Sequence, residues 1–120
     1  MEKAVLDMGR KQRLLCLRRG TDEDWRSVAR AADFNVHKLA RLFGLSTRQL
    51  ERLVRARFQL APREFLMRER MLAARLMLPA ANSIKETSFQ LGYSHPTIFN
   101  RHFKQFYGIT PTEFLLSRTV

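Results

Sequence analysis

Arg48, Glu51, Arg52 and Arg55 stand at i, i+3, i+4 and i+7, while Leu50, Leu53 and Val54 fall on the other side of the same stretch. On a helix this spacing gathers the four polar side chains on one face and turns the apolar ones toward a core. Further along, Thr97, Asn100, Arg101 and Lys104 repeat the arrangement opposite Phe99, Phe103 and Phe106. A guanidinium fork suits the two acceptors of a guanine edge, an Asn amide suits adenine, and Thr can meet a thymine methyl. Arg52, Arg101, Asn100 and Thr97 therefore have the chemistry to read bases in a major groove. Arg55 and Lys104 suit phosphate, which carries no base identity. Glu51 has two readings, as an acceptor for a cytosine amino group or as the i,i+4 ion-pair partner of Arg55. His95, beside Pro96 at the head of the second face, is expected to meet DNA or solvent. His37, His95 and His102 show no clustering with Asp, Glu or Cys, so no metal and no cofactor are expected.

The elements that carry these faces read as helices. Gly and Pro are few, and apolar residues recur at helical spacing, as at Trp25, Val28, Ala29 and Ala32. Ser46 with Gln49, Ser83 with Glu86 and Thr110 with Glu113 fit capping boxes, the last with Pro111 at the first helical position. The pattern predicts helices near 22–33, 36–43, 47–57, 62–78, 84–91, 95–106 and 111–117. Met67, Met71, Ala74 and Leu78 mark the buried stripe of the longest one.

An internal repeat links the two faces. Asn35 to Leu66 lies on Ser83 to Leu115 with a shift of 48, matching Gly44 with Gly92 and Ser46 with Ser94. From Leu50 and Phe99 onward the shift is 49, matching Arg52 with Arg101 and Pro62, Glu64, Phe65, Leu66 with Pro111, Glu113, Phe114, Leu115. Each copy offers a short helix, a Gly turn, a Ser N-cap and a second helix. Ala40, Gly44 and Leu50 have helix-turn-helix spacing, which Ser88, Gly92 and Ile98 repeat. A small residue lets the second helix approach, Gly tolerates the left-handed turn, and the later apolar residue locks the pair. The fold expected is all-α, with two tandem helix-turn-helix subdomains at 21–61 and 79–120. A linker helix over 62–78 joins them, and a basic segment over 1–20 precedes them.

Composition narrows the function. Of 120 residues, 22 are Lys or Arg and 11 are Asp or Glu, giving a net charge of +11 on a chain that is 45% hydrophobic. A foldable core with that excess points to a polyanionic partner. No apolar run approaches the roughly 20 residues of a membrane span, and the start lacks the apolar stretch and cleavage site of a secretory signal, so a cytoplasmic location is expected. Cys16 is the single cysteine, which excludes an internal disulfide and is read as a small buried hydrophobe. Val5, Leu6, Leu14, Leu15 and Leu17 among basic residues read as an extra packing helix, or as a dimerisation or docking element. No catalytic triad, paired carboxylates or phosphate-binding Gly loop stands in a convincing context, so no enzyme activity is expected.

Over about Trp25 to Ser117 the sequence resembles the DNA-binding domain of the AraC/XylS family of bacterial transcription regulators. The most specific stretch is Ile84 to Phe114. It includes Leu91-Gly92-Tyr93-Ser94, Phe99-Asn100-Arg101-His102-Phe103-Lys104 and Tyr107-Gly108-Ile109-Thr110-Pro111-Thr112-Glu113-Phe114. The resemblance implies a homeodomain-like, all-helical fold with one recognition helix per subdomain entering promoter DNA. A helix over 62–78 spans about 25 Å, so the two readers are expected in successive major-groove segments. The resemblance also implies activation through contact with RNA polymerase, and a separate effector or dimerisation domain in many relatives. Thr87 and Ser88 depart from the family's usual Ile and Ala, and Ala61 from a helix-capping Ser. The competing readings are a nonspecific architectural DNA binder, driven by charge alone, and a DNA-binding fragment of a larger effector-controlled regulator.

Overall fold

The computed structural model describes residue 9, residue 15 and residues 17–118. The readings made for Val5, Leu6, Leu14 and Cys16 lie outside the described residues. Among the described residues, 17–19 are helical, and the helices that follow are α1 (Asp22–Ala31), α2 (Val36–Leu42), α3 (Thr47–Phe58), α4 (Pro62–Met77), α5 (Ile84–Gln90), α6 (Pro96–Tyr107) and α7 (Pro111–Ser117). The described residues contain no strand. The longest helix closes at Met77 and passes into a 3-10 turn over Leu78–Ala80, whose Pro79 cannot donate an α-helical hydrogen bond. The chain divides into two compact units after Glu69, inside α4.

In the first unit, Trp25, Val28 and Ala29 of α1 pack with Leu39 and Ala40 of α2, Leu50 and Val54 of α3, and Phe65 and Leu66 of α4. Leu17 joins this core, whereas Leu15 is exposed. The Trp25 ring lies nearly perpendicular to those of Phe58 and Phe65, with centroids 5.2 and 5.6 Å away, and those two rings stack at 4.5 Å. Glu69 is buried nearby, and Arg26 and Arg68 each approach its carboxylate to 3.4 Å. Two cations offset the desolvation that a lone buried carboxylate would suffer. In the second unit Met71, Ala74 and Leu78 of the expected stripe are buried, as are Leu91, Tyr93, Phe99 and Phe103. Met67, the first residue of that stripe, is half-buried. Phe106 departs from its expected apolar line, being 44% exposed.

The caps fix where the helices begin. Ser46 and Gln49, and Thr110 and Glu113, form reciprocal capping boxes. Ser83 caps the Glu86 N–H, but the Glu86 carboxylate accepts from Gln90 instead of returning to the Ser83 N–H. Thr21 and Asp24 form a further box at α1. Before α4 only half a box exists: the Ala61 N–H donates to Glu64, as the Thr110 N–H donates to Glu113, but Ala61 has no hydroxyl to cap the Glu64 N–H. Ala61→Ser should restore it and stabilise the first unit by about 1 kcal/mol. Urea denaturation of the two proteins measures the difference, and a midpoint shifted downward would contradict the assignment.

Candidate nucleic-acid interface

Each unit contains a helix-turn-helix whose parts follow from residue size and backbone geometry. In the first, Ala40 is buried under the crossing, the Leu45 N–H donates to the Ala40 carbonyl at 2.9 Å, and Gly44 takes φ 65°. In the second, Ser88 is buried, the Tyr93 N–H donates to the Ser88 carbonyl at 3.0 Å, and Gly92 takes φ 88°. Both glycines occupy the left-handed region where an L side chain is strained. At Gly92 a Cβ would also meet an Arg70 guanidinium nitrogen at 3.3 Å. The departures at Thr87 and Ser88 are accommodated locally. Both are fully buried, and their hydroxyls donate back to the Ser83 and Lys85 carbonyls of their own helix.

The structure corrects the sequence reading at the start of the second reading helix. Ser94 does not cap it: His95 is the N-cap, in extended backbone at φ −134°, and makes no side-chain cap bond, while Pro96 takes the first helical position. Since Tyr93 repeats the turn bond of Leu45, the residue that changes the shift from 48 to 49 lies after Tyr93. It displaces Ser94 from the cap position. The same extra residue moves the locking position, so that Phe99, fully buried, stands where Leu50 stands, and Ile98 is half-buried. Helix ends still correspond: Gln59 and Gly108 are both left-handed C-caps, with N–H groups bonded to the Arg55 and Lys104 carbonyls.

Arg48, Glu51, Arg52 and Arg55 are all exposed on α3, and Thr97, Asn100, Arg101 and Lys104 are all exposed on α6. Glu51 takes the ion-pair alternative, with the Arg55 Nε 3.0 Å from its carboxylate. That pairing removes one cation from the first face's free charge. Arg48, Arg52, Arg101 and Lys104 have no ion pair among the described residues. His95 is exposed at the head of α6 and His37 on α2.

Three residues that lie outside the two expected faces, Arg70 of α4, Tyr93 of the turn and His102 of α6, meet beside the second reading helix. The Arg70 Nε donates to the Leu91 carbonyl at 2.9 Å, and the guanidinium lies 3.7 Å from the centre of the Tyr93 ring. The Tyr93 hydroxyl is 2.8 Å from His102 Nδ1. Burial, then Arg101 and Arg70, holds the His102 imidazole below its ordinary pKa, and burial raises the Tyr93 phenol against a smaller opposing effect of Arg70. The signal that could have exposed this pair was in the repeat itself. Tyr93 and His102 stand where the first copy has Leu45 and Leu53.

Two exposed polar faces on the second helices of two helix-turn-helix units define a double helix-turn-helix protein. A family model described as a helix-turn-helix domain matches residues 39–117. The chain belongs to the AraC/XylS family of transcription regulators. It is similar to an AraC-type transcriptional regulator from Chromobacterium violaceum, with 27% identity, TM-score 0.66, and 77% of this chain and 86% of that chain covered. It is also similar to the DNA-binding domain of AdpA, described as a global transcriptional factor in complex with a target DNA. That match has 25% identity, TM-score 0.66, and covers 75% and 84% of the two chains. The C-terminal domain of the response regulator yesN from Fusobacterium nucleatum shares the fold, at 22% identity and TM-score 0.66 over 78% of this chain and 97% of that one. No curated protein sequence matches the chain. The family and fold are those of transcription regulators, not enzymes. Among the described residues no helix is long and apolar enough to cross a membrane.

Proposed function

We propose that this protein is a sequence-specific regulator that seats α3 and α6 in successive major-groove segments of double-stranded promoter DNA. The observation that carries the reading is the recurrence of one exposed face, Arg48–Glu51–Arg52–Arg55 and Thr97–Asn100–Arg101–Lys104, at the same register of two duplicated units. The net charge of +11 supports a polyanionic partner, and the AdpA domain, solved with its target DNA, supports DNA as that partner. In this reading Arg52 and Arg101 take guanine, Asn100 takes adenine and Thr97 a thymine methyl, while Arg48 and His95 flank them. Arg55, still paired with Glu51, and Lys104 hold phosphate. The protein acts in the cytoplasm as an activator that contacts RNA polymerase, and a separate effector or dimerisation domain supplies control.

Genomic fragments retained by the immobilised protein in excess random-sequence DNA test this reading. A discrete set lying upstream of genes is expected; uniform retention would make the protein an architectural binder. Lys104→Ala should weaken binding to all sequences alike and reduce the slope of log affinity against log salt by about one phosphate contact. Anisotropy titrations over a salt series measure it, and a loss confined to one sequence would reassign Lys104 to base contact.

A further inference from the structure

We infer that Tyr93, braced by Arg70, sets the tautomer and orientation of His102 so that its Nε2–H is a neutral hydrogen-bond donor to a DNA phosphate beside Arg101. The inference rests on the reading of α6 as the helix that meets DNA. Its first support is the repeat. Leu45 and Leu53 of the first unit are replaced at the matching positions by Tyr93 and His102, whose polar atoms lie 2.8 Å apart. Leu45 and Leu53 pack against the core of the first unit, so the fold of a helix-turn-helix does not require polar atoms at these two positions. The second support is the bracing. The Tyr93 ring is buried, tilted against Phe99 at 5.4 Å and covered by the Arg70 guanidinium at 3.7 Å, and Arg70 is itself bonded to the Leu91 carbonyl. The phenol oxygen therefore has a fixed position from which to engage Nδ1.

The third support is proton bookkeeping on the ring. In this assignment the Tyr93 hydroxyl donates to Nδ1, so the single N–H of the neutral imidazole falls on Nε2. The charged groups facing the ring are Arg70 from α4 and Arg101 from α6, and both favour the neutral form. Nε2 has no protein partner among the described residues. The one buried side-chain nitrogen or oxygen left unpartnered there is Trp25 Nε1, so His102 Nε2 reaches solvent. A donor held on the reading helix next to Arg101, open to solvent and fixed in tautomer, is preorganised for a phosphate oxygen.

A neutral donor differs measurably from a lysine. It adds affinity without neutralising a phosphate, so it leaves the salt slope unchanged. Binding to a labelled random-sequence duplex is measured by anisotropy at pH 8 for variants whose thermal unfolding matches the parent. His102→Ala should weaken binding about tenfold with the slope unchanged, as expected for a hydrogen bond to a charged group. His102→Gln, whose amide nitrogen can stand where Nε2 stands, should recover most of it. Tyr93→Phe, which keeps the ring and removes only the hydroxyl, should cost about threefold. That cost should vanish in the His102→Ala background. The double variant Tyr93→Leu with His102→Leu copies the first unit's apolar pair and should fold yet bind like His102→Ala. Full affinity in that double variant, independent losses from Tyr93→Phe and His102→Ala, or a slope reduced by His102→Ala would each overturn the inference. Arg101→Ala and Lys104→Ala serve as references. If they weaken binding and His102→Ala does not, the inference alone fails; if neither they nor His102→Ala matter, the reading of α6 fails and the inference with it.

Discussion

Truncating Phe103 to alanine lowers the stability of the second unit by about 3–5 kcal/mol and removes its contribution to DNA binding. Phe103 is fully buried at the middle of α6. Its ring meets Phe99 at 5.9 Å, Tyr107 at 4.7 Å and Phe114 of α7 at 5.8 Å. Tyr107 in turn donates its hydroxyl to the Met71 carbonyl of α4 at 2.8 Å. Phe103 is thus shared by the aromatic contacts that seat the reading helix and by those that close the unit behind it. A unit this small has only a few kcal/mol to lose, so the variant populates its unfolded form. Amide hydrogen exchange across 84–117 measures the effect directly. Protection that survives the substitution would mean that α6 is seated by other contacts.

Arg52→Ala and Arg101→Ala should each relax preference at one box, at a cost of about 1–3 kcal/mol on the cognate sequence. Both side chains are exposed and have no ion pair among the described residues. Their removal therefore leaves the fold as stable as before, and the change in affinity belongs to the interface. Arg55 makes a less clean test, because its loss also frees Glu51 to repel phosphate. Selection of bound sequences by each variant gives the answer box by box. Two variants that keep the parent's motif intact at both boxes would remove these arginines from the reading faces.

The parts of the structure legible in the sequence are those set by nearby residues. The helix starts at Thr47, Ile84 and Pro111 follow from hydroxyl caps three residues from their partners, and the turns at Gly44 and Gly92 from a left-handed backbone that favours glycine. The exposed faces followed from helical spacing alone. The N-cap of α6 was misplaced because an extra residue after Tyr93 leaves Ser94 and His95 both plausible by type, and only the turn geometry decides between them. Contacts between residues far apart in sequence had no local signature. Arg26 with Glu69, Arg70 with Leu91 and Tyr107 with Met71 depend on how whole helices cross. Tyr93 and His102 are a middle case. Nothing near either residue marks them, but comparing the two copies shows two polar residues replacing two leucines.

Two working readers on one chain would leave a distinctive mark on the DNA it selects. Selection of bound duplexes from a random DNA pool at near-physiological salt, with the purified protein and no added ligand, tests for that mark most directly. An asymmetric motif of two unlike boxes about 10 base pairs apart, one for α3 and one for α6, is expected. Recovery of a single box would reduce one unit to an anchor, and recovery of no motif would contradict sequence-specific reading altogether.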